Sequence, residues 1–205
     1  MEISGKSKPQ PVNMKAVKPI EATPESFKEY GQVLEASPDG EEFGPKDAQL
    51  NLSQGIPRGQ RILGPSCAHS RRMFYIMKLE KRSLKFSTIT HHAKVTQCLG
   101  SIGGGVWYLG VAKPSIVETK ENAGSDAMQS KCGHFYVPPA VDKVQVFRIS
   151  GSKFIKLNIG TWHAGPLFKP ETMDFYNLEL SDTNVVDHTT HNFKQQDGIV
   201  FVIDD

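Results

Sequence analysis

The sequence predicts an all-β domain with one short helix near its N-terminus. Three observations predict it. Short runs of β-forming residues recur through most of the chain beyond residue 72, turns of Gly, Pro, Asp, Asn or Ser separate most of them, and no long amphipathic helix intervenes. At 205 residues and 38% hydrophobic content, the chain suits one such domain with a single real core.

The elements follow in order. Residues 1–13, with Lys6, Lys8, Pro9 and Pro11, predict a disordered tail ahead of a single domain over 14–205. A first strand is predicted over 16–20. Thr23-Pro24-Glu25-Ser26-Phe27 then carries a helix-start signal, with Thr23 as N-cap, Pro24 at the first helical position and Gly31 as the stop. Phe27 and Tyr30, three apart, share its buried face. Residues 35–58 are polar and turn-rich, and 59–72 read as an exposed loop or insertion. Strands are predicted over 73–77, 84–89, 95–99, 106–112, 144–149, 154–157, 173–180 and 199–203. Gly103-Gly104-Gly105 lacks the Lys-Ser/Thr of a phosphate loop and reads as a tight hairpin.

Bulk properties exclude several classes of partner. The 24 Lys and Arg nearly balance the 22 Asp and Glu, so no basic field attracts nucleic acid. No apolar run approaches the ~18 residues of a membrane span. The first twelve residues lack the apolar core of a secretory signal, so a cytoplasmic location is expected. Three widely spaced cysteines form no disulfide framework and fit a reducing compartment, with Cys98 expected as a packed thiol.

Two segments carry the candidate chemistry. Thr90-His91-His92-Ala93-Lys94-Val95-Thr96-Gln97 and Gly160-Thr161-Trp162-His163-Ala164-Gly165-Pro166 each place a His among β-forming residues. The pair resembles the two half-motifs of a cupin barrel, in which distant strands turn polar side chains into one pocket. Gly160-Thr161-Trp162-His163 fits the Gly-x-x-His of the second half-motif. The first is altered, with adjacent histidines and Gln97 where an acid is usual. Neighbouring residues of a strand point to opposite faces, so at most one of His91 and His92 enters the pocket. His92, His163 and Gln97 are the candidates, against the alternative of satisfied core histidines. Two His and a Gln would hold a divalent metal only weakly. His188 and His191 lie in a polar stretch that reads as a solvated loop.

The resemblance extends further. Val17-Lys18-Pro19-Ile20, the segment from Thr23 to Glu35, Gln54-Gly55-Ile56-Pro57-Arg58, His92 with Thr96-Gln97, and Trp162-His163 with Pro166-Leu167-Phe168 together resemble the ureidoglycolate lyase family. That resemblance implies a cupin-like double-stranded β-helix barrel, a homodimer, and cleavage of ureidoglycolate to glyoxylate and urea in allantoin breakdown. It also implies a divalent metal such as nickel or manganese. By resemblance, His92 and His163 are acid/base groups or metal ligands, Gln97 is a ligand or hydrogen-bond donor, Arg58 anchors the substrate carboxylate, and Trp162 and Lys94 contribute to substrate binding. The chain departs from the family pattern at Thr90-His91, which replaces Glu-Arg, and at Ala164, which replaces a second His. A cupin-like binding module without the chemistry, or a cupin enzyme for another small acid or sugar, stays open.

Overall fold

The computed structural model describes residues 11–36, 72–119, 126–180 and 183–205. Of the loop expected over 59–72, residues 59–71 lie outside the described residues and Arg72 already begins a strand; Arg58 also lies outside them. The chain is all-β, and none of its described helices is long and apolar enough to cross a membrane.

The first elements are β1 (Asn13–Val17), β2 (Ile20–Glu21), α1 (Pro24–Phe27) and β3 (Gly31–Leu34). Strand β1 takes in Asn13, the last residue of the span read as a tail. Helix α1 starts as its sequence dictates. The Thr23 hydroxyl accepts from the Ser26 N–H at 3.0 Å, and the Ser26 hydroxyl accepts from the Thr23 N–H at 2.9 Å. Phe27 and Tyr30 then pack edge-on against Phe147. Gly31 is obligatory where β3 begins, because a Cβ there would lie 1.9 Å from the Lys156 carbonyl oxygen.

Beyond residue 72 come β4 (Arg72–Glu80), β5 (Lys85–Phe86), β6 (Thr88–His91), β7 (Cys98–Ser101), β8 (Trp107–Ala112), β9 (Ile116–Val117), β10 (Met128–Gln129) and β11 (Phe135–Tyr136). They are followed by β12 (Gln145–Ile149), β13 (Phe154–Leu157), β14 (Trp162–Leu167), β15 (Thr172–Leu180), α2 (Thr183–Val186), β16 (Thr189–Asn192), α3 (Phe193–Gln196) and β17 (Ile199–Ile203). A six-stranded sheet runs β16-β6-β14-β8-β12-β2 and a five-stranded sheet runs β3-β13-β7-β15-β4. Smaller sheets β1-β17-β5 and β10-β11-β9 complete the set, and among the described residues no strand is shared to close a barrel.

Two cores make the molecule layered. Trp107, Leu109, Val111, Phe147 and Ile149 of the six-stranded sheet meet Leu79, Leu99, Ile155, Leu157 and Phe175 of the five-stranded one. Alternate residues Tyr108, Ala112 and Val146 point the other way, onto Phe86 and Phe201 of the β1-β17-β5 sheet and Phe193 of α3. Burial on both faces is why β8 reads as an unbroken apolar run. Each fully buried Phe contributes roughly 2–3 kcal/mol by transfer from water.

The structure departs from the sequence reading at two places that matter for function. Residues 95–97 precede β7 rather than extend it, because the Asp187 carboxylate draws the Ala93 and Lys94 N–H groups into a turn at 2.8 and 2.7 Å. Of the stretch read as a solvated loop, His188 is exposed and belongs to no element, but Thr189 onward forms β16, which pairs with β6 from Thr189↔His91 to Asn192↔Thr88. There His191 is buried and its Nε2 lies 2.8 Å from Asp197.

Candidate active site

A cavity of about 600 Å³ opens between the two large sheets, and His92, Gln97, His163 and His188 all line it. Its apolar floor is Leu79, Leu99 and Leu109, drawn from both sheets. The connection from β4 to β6 crosses the cavity and contributes Lys81, Arg82 and Lys85 to its wall, and no Asp or Glu lines it among the described residues. No ion pair joins any of these three cations to a described carboxylate. The site therefore favours an anion.

The adjacent histidines divide as strand geometry requires. His91, on β6, turns to the second core, where it is fully buried and its ring lies 4.0 Å from that of Trp162. Its Nε2 is 2.7 Å from Nε2 of His134, whose Nδ1 is 2.9 Å from the Ser130 hydroxyl. Burial first, then His134 and His92, push His91 down to about 3. His92, one residue on, faces the cavity. Its Nδ1 contacts the Asp187 carbonyl oxygen, which can only accept. The Nδ1 therefore carries a proton, and Nε2 is left for the cavity.

His163 is oriented in the same way from the opposite segment. Its Nδ1 lies 3.2 Å from the Thr161 carbonyl oxygen and donates to it, again leaving Nε2 for chemistry. The His92 and His163 ring centroids are 5.2 Å apart, and those of His92 and His188 are 5.8 Å apart. Burial, and then His92 itself, push His163 down to about 3. Partial burial, followed by His92, lowers His188, and Asp187 opposes that shift.

Gln97 occupies the side of the cavity formed by the five-stranded sheet. Its Nε2 donates to Glu179 Oε2 at 3.1 Å and, at 3.5 Å, approaches Asn177 Oδ1. The expected donor role toward a ligand is thus corrected, since its N–H groups are turned to the protein. His188 was read as part of a solvated loop rather than as a cavity residue, and Asp187, Glu179 and Asn177 were not anticipated. The available signal was Asp187-His188 immediately before the β-forming Thr189-Thr190.

Two further expectations need correction. Trp162 is fully buried on the far face of β14, where its Nε1 donates to the Ser115 hydroxyl at 2.8 Å. A period of two on one strand sends Trp162 and His163 opposite ways. Trp162→Phe is expected to lower the melting temperature by several degrees, through the lost hydrogen bond and volume, while leaving the affinity of any cavity ligand within twofold. Thermal melts and a ligand titration on the same variant check this. Lys94 is exposed and absent from the cavity wall, and it contributes through its backbone N–H to Asp187. Cys98 is a packed thiol, as expected, and burial pushes it up to about 12.

A divalent metal would find only part of a donor set here. His92 and His163 each have Nδ1 held by a backbone carbonyl, as metal-binding histidines do. Among the described residues, however, no group of three His, Cys, Asp or Glu is placed to hold an ion. Two imidazoles and the Gln97 amide fall short of a firm site, and no chemical step is routed through a metal. No protein-family model and no curated protein matches the chain.

Proposed function

We propose that the chain is a carbon–nitrogen lyase on a cupin-like frame, and that its substrate is ureidoglycolate, cleaved to glyoxylate and urea. The observation that carries this reading is the pair His92 and His163. Their rings face each other 5.2 Å apart in a cavity free of described carboxylates, each with Nδ1 tied to a backbone carbonyl. The resemblance around His92, Gln97 and His163 supplies the substrate.

The chemistry needs one base and one acid. Ureidoglycolate is a carbinolamine. Loss of its hydroxyl proton allows the C=O of glyoxylate to form as the C–N bond breaks, and the leaving urea nitrogen takes up a proton. Two imidazolium rings this close would repel, so at most one ring of the pair carries charge at a time. His163, pushed down to about 3 mainly by burial, is the neutral member and takes the hydroxyl proton at Nε2. His92 delivers the proton to nitrogen. Lys81, Arg82 and Lys85 hold the carboxylate.

Arg82→Ala is expected to raise KM for ureidoglycolate about tenfold, the worth of one charge-assisted hydrogen bond, with kcat within twofold. Steady-state kinetics check it, and an unchanged KM would remove Arg82 from the site. One departure favours a second reading, a binding module without turnover, because Ala164 stands where the resembling family has a second His. Glyoxylate release from racemic ureidoglycolate, with nickel or manganese supplied, separates the two. Release of up to half the substrate supports a stereospecific lyase. Release no faster than the spontaneous rate leaves the binding module.

A further inference from the structure

Gln97 lines the cavity, and its amide is held by side chains that do not. Tyr75 of β4 lies diagonally across from Glu179 of the paired strand β15, and Asn177, with 1% exposure, sits directly across from Tyr75. The Tyr75 hydroxyl donates to Glu179 Oε1 at 2.7 Å, and Asn177 Nδ2 donates to the same hydroxyl oxygen at 3.0 Å. Gln97 Nε2 closes the ring, donating to Glu179 Oε2 at 3.1 Å and lying 3.5 Å from Asn177 Oδ1. The sense of every bond follows from one fact: a carboxylate only accepts. The Tyr75 hydroxyl must give its proton to Glu179, so it can only accept from Asn177. Asn177 therefore turns Nδ2 to Tyr75 and Oδ1 to Gln97.

We propose that this ring of Tyr75, Asn177 and Glu179 fixes the Gln97 amide with its Oε1 toward the cavity, so that the site selects ligands whose end group donates an N–H. The inference rests on the reading of the cavity as the substrate site and deepens it. Gln97 Oε1 has no hydrogen-bond donor among the described residues, although the residue lines the cavity. An acceptor held in place without a donor discriminates strongly, because a ligand that covers it with a methyl group leaves it unpaired. A urea end group offers an N–H₂ where an acetyl group of the same shape offers a methyl. Glu179, Tyr75 and Asn177 are positioning residues, acting through Gln97.

The test is isothermal titration of the whole chain with N-carbamoylglycine and N-acetylglycine, which share a carboxylate and differ by N–H₂ against CH₃. The carbamoyl compound is expected to bind about tenfold tighter or more. In Glu179→Gln, an amide at position 179 can both donate and accept, so Gln97 is free to turn over. The preference should fall to about twofold, with the melting temperature showing that the variant folds. Tyr75→Phe, which removes only the hydroxyl, should weaken the preference by a smaller factor. Equal binding of the two compounds by the wild-type chain, or no binding of either, overturns the inference, as does full preference retained in a folded Glu179→Gln. Discrimination without turnover of ureidoglycolate would reject the lyase and uphold the Gln97 orientation. Turnover without discrimination would do the reverse.

Discussion

His163→Ala is expected to lower kcat for ureidoglycolate by about a thousandfold, within the range that a positioned acid or base supplies. The side chain sits near the start of β14, between Trp162 and Ala164, which are packed in the second core. Its removal therefore enlarges the cavity without disturbing the layers on either side. Its one hydrogen bond is to the Thr161 carbonyl, so the melting temperature near neutral pH should fall by no more than about 5 °C. A folded variant with full activity would sink the lyase. A sharper signature comes from pairing the change with His92→Ala. If the two imidazoles act as one acid–base unit, removing the second after the first should cost little more, and kcat of the double variant should lie close to that of either single one. Multiplying losses would mean that the two rings act separately.

Much of the fold was legible because local chemistry and tertiary environment agree. The Thr23–Ser26 capping box needs only residues three apart, and α1 forms where it predicts. The run of β8 is apolar because it is covered twice. Strand β16 was hidden because its inward residues are polar. Thr189 and His191 are buried against β6, and His191 is satisfied by Asp197, a partner that a periodicity argument does not register. His188 was missed with it.

The site divides along similar lines. That only one of His91 and His92 could enter the cavity followed from the period of a strand. The same period excludes Trp162 once His163 is inside. The orientation of Gln97 was not legible, because it is set by Glu179, 82 residues away in the chain. Nor does the sequence near Lys81, Arg82 and Lys85 distinguish a solvated loop from a cavity wall. That distinction depends on Phe168, whose N–H donates to the Arg82 carbonyl at 2.9 Å and draws the connection against the end of β14.

Acid should unfold this protein well before its carboxylates titrate. His91 and His163 are both held near 3, against an ordinary value of 6.5, and burial is the main cause in each. As pH falls below 6.5 the unfolded chain binds a proton at each of them, and the folded chain does not until about 3. Their contribution to stability is complete above 6.5 and is lost progressively as pH falls through that window. Each group costs about 1.4 kcal/mol per pH unit, so the two together remove about 5 kcal/mol between pH 6 and pH 4, comparable with the whole stability of a modest domain. His134 and His188, also lowered, add to the slope. Asp187, raised mainly by burial, works in the opposite sense and only in the carboxylate range. Urea denaturation at several pH values from 7.5 to 4.5 should show uptake of about two protons on unfolding, and stability flat across that range would reject the assignment. His91→Phe should reduce the uptake by about one proton. An apolar ring is tolerable there, because His91 Nδ1 is a buried atom with no partner among the described residues and His134, only partly buried, can turn to water. With His163→Ala added, most of the remaining slope should disappear. The burial that keeps His163 neutral for proton abstraction is thus the same burial that makes the fold sensitive to acid.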